Sequence, residues 1–247
     1  MRFIALVCIC LFGAMSAVAD DAKNGWSGEG SFSAGTSTGN TETSDLGLGL
    51  DLKRTQNRWV IGVNAKADYG ETDGAETKNR VFLSGTADYQ VSDHLFGFGQ
   101  GSYEKDEFSG FENRYFIGGG LGWNIYDSER TNWSVRGGPG LKVDEVREVT
   151  TNGVVTTPGE TVESFSVIGS SDYKLQINDN VSLGNATNVL YAEESTQLSN
   201  TFAITASLTN TLSARVSYEV RHDTNPPAGF EETDTTTRVS LVYKFGG

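Results

Sequence analysis

The stretch WVIGVNAKADYG, residues 59–70, alternates along its length. Trp59, Ile61, Val63, Ala65, Ala67 and Tyr69 fall on one side of an extended chain. Gly62, Asn64, Lys66 and Asp68 fall on the other, because successive side chains of a strand point to opposite faces. Two architectures use such a ribbon. A β-sandwich turns the apolar side toward a protein core, whereas a membrane barrel turns it toward lipid and its polar side toward a wet lumen.

The same beat runs from Trp26 to Phe245. It predicts about twelve strands, at roughly 26–37, 44–54, 59–70, 80–90, 94–104, 113–125, 131–144, 164–177, 181–192, 200–208, 212–222 and 235–245. An even number returns the chain to the side where it began, as in bacterial barrels. About eleven residues at ~3.3 Å each, tilted by ~40°, span roughly 28 Å, close to the hydrocarbon thickness of a bilayer. The connections predicted between these strands alternate in length. Those at 55–58, 91–93, 178–180 and 209–211 are tight and rich in turn formers, and those near Gly39-Asn40 and at 71–79, 105–112, 145–163, 193–199 and 223–234 are longer. Short periplasmic turns and long outer loops are the habit of outer-membrane barrels. The strands with fewest apolar side chains are the first, the ninth (Asn185 and Thr187 at lipid-facing positions) and the tenth, where register is least constrained.

Large rings gather at both ends of the predicted strands. Trp26, Trp59, Tyr89, Trp123, Trp133, Tyr173, Tyr243 and Phe245 fall at periplasmic ends; Tyr69, Tyr103, Tyr115, Phe165, Tyr191 and Phe202 fall at outer ends. Two aromatic belts around an aliphatic waist are what a bilayer selects. The fold expected is therefore all-β, a closed antiparallel up-and-down transmembrane β-barrel.

Composition fits this reading. The chain has 247 residues, 37% of them apolar, enough for one large β domain and too few for a helical membrane protein. Residues 1–19 read as a cleaved signal peptide: Arg2, an apolar run from Phe3 to about Ala14, and an Ala17-Val18-Ala19 cleavage site. Residues 20–247 are then the barrel, exported to the bacterial outer membrane. Both cysteines, Cys8 and Cys10, lie in the signal, so the mature chain has no disulfide and no thiolate ligand. A formal charge of -13 argues against nucleic acid as a partner. The partners expected are outer-membrane lipid, lipopolysaccharide and the outer-membrane assembly machinery.

The polar side of the strands carries charge of both signs. The candidate lumen-lining residues are Lys66, Asp68, Arg114, Arg136, Lys142, Lys174, Arg215, Glu219, Arg221 and Arg238, with Lys53, Lys244, Asp51, Asp88, Asp144 and Asp172 beside them. On this register the lumen is net positive and the outer loops hold most remaining acids. Such charges either pair into a plug or line a narrow water path that sets ion preference. The acidic rim reads first as a solvated surface and second as a site for cations that bridge to lipopolysaccharide.

No constellation specifies chemistry. His94 and His222 fall at opposite ends of the barrel and cannot share a metal. His222 has acidic neighbours but no hydrolase motif around it, and Ser217 is too far along its strand to be its partner. Gly118-Gly119-Gly120 sits inside a strand pattern with no helix or Lys-Ser/Thr after it, so it is no phosphate loop.

Several stretches, in order, resemble one family. These are Trp26-Ser27-Gly28-Glu29-Gly30 with Thr38-Gly39-Asn40; Arg114-Tyr115-Phe116-Ile117-Gly118-Gly119-Gly120-Leu121-Gly122 with Gly137-Gly138-Pro139-Gly140; and Tyr218-Glu219-Val220-Arg221 with Asn225-Pro226-Pro227-Ala228-Gly229 and Asp234-Thr235. The chain is similar to the salt-induced outer-membrane proteins, a domain family of unknown function. The resemblance implies an outer-membrane barrel with no established catalytic activity and no assigned substrate, and a tie to salt or osmotic conditions; no cofactor is expected. One departure is the end of the chain, where Gly246-Gly247 follow the terminal aromatic Phe245 that barrels of this class present to the assembly machinery. The function expected is non-enzymatic, as envelope structure or a narrow path for ions and small solutes. The alternatives are an outer-membrane hydrolase acting at the outer mouth and a soluble periplasmic β-protein.

Overall fold

A computed structural model describes residues 25–40, 43–151 and 154–246; the expected signal peptide, 1–19, lies outside them. Twelve strands close into one antiparallel barrel: β1 (Gly25–Thr38), β2 (Thr43–Gln56), β3 (Trp59–Thr72), β4 (Ala75–Gln90), β5 (Leu95–Asp106), β6 (Phe111–Asp127), β7 (Thr131–Val146), β10 (Glu160–Asn178), β11 (Val181–Ala192), β12 (Thr196–Ser207), β13 (Leu212–Asp223) and β14 (Thr233–Phe245). Two short strands, β8 (Val149–Thr151) and β9 (Val154–Thr157), form a separate hairpin within the connection from β7 to β10. Each barrel strand pairs with its neighbour in sequence, and β1 pairs with β14 from Gly28↔Phe245 to Thr38↔Thr235. Closure leaves no sheet edge, so the wall satisfies its own backbone groups. The sandwich reading is thereby overturned.

Alternation decides which way each side chain points. Phe32, Leu48 and Leu241 lie abreast on β1, β2 and β14, and all three are exposed on the outer wall. Ile117, Leu121, Leu141, Phe165, Val216 and Val239 are likewise 53–68% exposed. A wall this apolar and this open to its surroundings is the reverse of a soluble protein's surface.

Several strands run further than the hydrophobic beat predicted. The loop expected at 71–79 is a tight turn at Asp73-Gly74, with φ of 52° and 78°, and pairing resumes at Thr72↔Ala75. The left-handed backbone explains the Asp-Gly pair. The connections expected at 105–112 and 193–199 likewise shrink to 107–110 and 193–195. Apolar alternation stops where a wall no longer needs grease, but the hydrogen-bond ladder does not need grease to continue. The extra turns of ladder are built from Thr, Glu, Lys and Asp. Length asymmetry between the two ends consequently rests on 147–159 and 224–232.

The polar ninth strand keeps its predicted phase. Asn185 and Thr187 on β11 face outward beside Asn200 on β12, and the three bond to one another. Asn200 Nδ2 donates to Thr187 Oγ1 at 2.7 Å and to Asn185 Oδ1 at 3.2 Å, and Asn185 Nδ2 donates to Asn200 Oδ1 at 3.2 Å. Inside, Phe96, Phe98, Phe116 and Ile168 form a buried cluster on the wall made by β5, β6, β7 and β10. Glycines make room for it: a Cβ on Gly122 would strike the Phe96 ring, and one on Gly118 or Gly140 the Phe116 ring.

Nearby, β6 and β7 approach so closely that a Cβ on Gly120 would collide with the backbone of Gly137 and Gly138. Gly120→Val should therefore weaken or abolish the compact, heat-modifiable band on unboiled gels, because overpacking of this kind costs roughly 1–3 kcal/mol and more where rigid backbone is struck. Gly99→Ala, where a Cβ meets nothing within 4 Å, should leave that band and its melting temperature unchanged.

Candidate functional site: the lumen

All ten residues expected to line the lumen fall on its inner face, and the register brings them into three levels. The level toward the loops 107–110, 193–195 and 224–232 is an ion-pair brace. Arg221 on β13 reaches Glu104 on β5, Nη2 to Oε1 2.6 Å, and Asp106, Nη1 to Oδ2 3.6 Å. In the barrel order β5 stands six strands from β13, which is diametrically opposite, so this contact crosses the whole lumen. Arg114 on β6 makes a second crossing, binding Asp223 on β13 at 2.9 Å and Asp144 on β7 at 3.0 Å.

The brace continues along the walls. Arg80 joins Glu104 at 2.7 Å to Asp68 at 3.7 Å; Arg238 joins Asp68 at 2.9 Å to Asp45 at 2.8 Å; Lys78 also holds Asp45, at 3.2 Å. Gly47 leaves space here, since a Cβ would meet Ser33, Asp68 and Arg238. The Asp45 side chain is fully buried, and Lys142, paired with Asp144 at 3.0 Å, is 3% exposed. Charges this far from bulk water persist only when opposite charge or hydrogen bonds surround them.

The middle level is split. On one wall the phenylalanine cluster carries the Arg136 guanidinium, 5.3 Å from the Phe96 ring centroid and 5.4 Å from Phe98, with Asp88 at 3.2 Å. On the other wall Lys66 stands among Asp51 and Glu219 without touching either within 4 Å. The third level, at the end that holds the termini, is a cavity of about 540 Å³. Lys53, Lys174, Arg215 and Lys244 line it together with Glu29, Asp127 and Asp172. Arg215 grips Glu29 through two nearly parallel bonds of 2.6 and 2.9 Å.

The lumen is closer to charge balance than expected. Glu29, Asp45, Glu104, Asp106 and Asp223 also point inward, and three of them lie in stretches read as outer loop or as loop edge. Lys78 and Arg80 add only part of the balancing charge. The acids at strand ends escaped the sequence reading because the ladder outlasts the apolar beat. The inner phenylalanines escaped it too; their signal was Phe at 96 and 98 alternating with glycines at 97, 99 and 101.

The large rings stand on the outer wall. Near the termini end Trp59 meets Tyr89 at 5.0 Å, Tyr126 meets Trp133 at 6.2 Å, and Trp133 meets Tyr173 at 6.2 Å. Trp26 and Trp123 project from the same level, with Tyr243 and Phe245 on β14. Toward the loops, Tyr103 and Tyr115 are 5.3 Å apart and Tyr69 and Tyr191 are exposed. Phe202, expected at an outer end, is instead near the middle of β12, opposite Tyr218, because that strand begins earlier than predicted.

Hydrolytic geometry is not assembled around His222. Its Nδ1 pairs with Thr233 Oγ1 at 2.9 Å on the outer face of β13, whereas Ser217 points inward. Lys142 does donate to Ser195 Oγ at 2.8 Å, but the ammonium is already ion-paired with Asp144 and so cannot take the hydroxyl proton.

An apolar exterior around a polar, braced interior defines a porin-like β-barrel. The chain belongs to the family described as "Protein of unknown function, DUF481", which matches residues 30–245. This is the family that the sequence motifs resemble. The uncharacterized protein YdiY of Escherichia coli (strain K12) is 24% identical, over 94% of this chain and 93% of that one. Among solved structures, the NanC porin superposes with a TM-score of 0.56 at 12% identity, covering 87% of this chain and 100% of that one. The translocator domain of the autotransporter NalP from Neisseria meningitidis gives 0.55 at 12% identity, covering 90% and 89%. An outer-membrane channel from Pseudomonas putida F1 gives 0.53 at 8%, covering 93% and 100%. At such identities the likeness is one of fold.

Glu104 is the acid that two arginines share, so Glu104→Gln leaves Arg80 with Asp68 at 3.7 Å and Arg221 with Asp106 at 3.6 Å as their remaining acids. Breaking a buried pair from one side costs about 3–5 kcal/mol. The variant's heat-modifiability transition should fall well below that of the parent, measured by gel shift against temperature. An unchanged transition would show that the brace contributes nothing to stability.

Proposed function

We propose that this chain is a non-enzymatic bacterial outer-membrane barrel whose lumen is a narrow path for ions and small solutes, closed at its loop end by the ion pairs. The observation that carries the reading is the Arg221–Glu104 contact between opposite walls. The path below it is wet and charged, and the phenylalanine cluster with Arg136 narrows it further. On this reading the termini end faces the periplasm and the acidic loop end faces outward, where lipopolysaccharide is the neighbour. Val239, Leu241, Tyr243 and Phe245, all on the outer face of β14, form the signal read by the assembly machinery. The family resemblance adds an association with salt or osmotic conditions.

In planar bilayers the parent protein should show small or rare steps, and Arg114→Ala with Arg221→Ala should raise unit conductance by roughly threefold or more, since charged constrictions set passage. Arg136→Glu in that background should shift the reversal potential toward cation preference. Silence of parent and brace variants at every voltage would leave envelope structure as the function.

The belts supply a separate test of lipid contact. All four tryptophans, Trp26, Trp59, Trp123 and Trp133, belong to the termini-end ring. In vesicles, bromine placed high on the acyl chain should quench their fluorescence more strongly than bromine near the bilayer midplane, because indoles seek the interfacial level. Equal emission in brominated and plain lipid would mean that this wall does not meet acyl chains.

A further inference from the structure

We infer that the cavity at the termini end is a binding site for a small polyanion bearing carboxylate or phosphate groups. Its volume, about 540 Å³, lies within the range of small-molecule sites. Four cationic side chains reach it from different strands: Lys53 from β2, Lys174 from β10, Arg215 from β13 and Lys244 from β14. In the barrel order β10 and β14 stand four strands apart, so Lys174 and Lys244 face the space from separate walls.

Of the three acids that line the cavity, Glu29 cancels Arg215, which leaves Lys53, Lys174 and Lys244 facing Asp127 and Asp172. Glu29 is gripped by Arg215 on both oxygens. Asp172 feels Arg136 from the level above. Lys53 has Asp88 within electrostatic range but not in contact. Asp127 sits at the end of β6, on the rim. No carboxylate of the described residues lies within 4 Å of Lys174 or Lys244, in contrast to the brace, where every cation has one. A barrel that neutralises its charges so fully at one level and leaves ammonium groups without an acid at another has built a field for anions at the second. Serine and asparagine side chains, Ser134, Ser182, Asn124 and Asn132, add neutral hydrogen-bonding groups between the cations. Such a mixture suits an oxyanion with several acceptors.

The site deepens the reading of the lumen as a path, with the brace making the termini end its accessible mouth. Binding does not require conduction, so the two are tested apart. Citrate and inorganic pyrophosphate, one carrying carboxylates and the other phosphates, would be titrated into the detergent-purified full barrel by calorimetry, with sucrose as the neutral control. At least one anion should bind, and sucrose should not. Lys174→Gln with Lys244→Gln should weaken that binding by about tenfold, as expected for loss of two charge-assisted contacts. Lys66→Gln, one level higher, should leave it unchanged. All variants would be checked for the compact gel band, since these lysines are accessible and brace nothing. Absence of binding by both anions, equal binding of sucrose, or an affinity unchanged in the double variant would each overturn the site. Anion binding by a barrel that is silent in bilayers would keep the site and remove the path; conduction without anion binding would do the reverse.

Discussion

Closure of β14 onto β1 is the constraint on which everything else here depends. Once eleven residue pairs from Gly28↔Phe245 to Thr38↔Thr235 are made, the sheet has no free edge. Backbone donors along the paired strands then find partners strand to strand, apart from local irregularities such as the break between Gly118↔Gly140 and Leu121↔Gly137. Side chains are thereby released from structural hydrogen bonding and sorted by face alone. The outer face takes Leu, Val, Ile and rings; the inner face takes charge. The described residues contain no cysteine, and closure needs no other staple.

Inside the ring, charge arranges itself by distance from the two mouths. At the loop end, arginines and carboxylates interlock until the strands on opposite sides are tied together. This is costly desolvation offset by contact geometry, and it favours a single lumen shape over many. Toward the middle, phenylalanines lying on glycines replace ions as filler. At the termini end the filling stops and a cavity of about 540 Å³ opens. One side of the barrel is thus shaped for rigidity and the other for occupancy.

Much of this was legible in the sequence. Period-two alternation in 59–70 and its repeats gave the barrel, its strand number and the inward phase of Lys66, Arg114, Arg136 and Arg238. The reason is that phase is a local property, set residue by residue. What was not legible is what depends on cross-barrel distance. No local pattern says that Arg221 meets Glu104 and Asp106, because those partners stand half a circumference apart. The ends of strands were misjudged for a different reason. Glu104, Asp106 and Asp223 lie at or beyond the end of the apolar beat yet within the ladder, so hydropathy assigned to loops residues that pairing retains in the wall. The inner phenylalanines were hidden by their apolarity, which the alternation rule reserves for the outside.

The small island made by Asn185, Thr187 and Asn200 bears on how this protein enters its membrane. Each of these groups finds its partner on the adjoining strand, so neither β11 nor β12 can shield its amides alone. Paired, the two staves hide those amides among Tyr191, Leu198, Phe202 and Ile204 on the same outer face. Joining of this hairpin accordingly has to precede, or coincide with, its passage into oil.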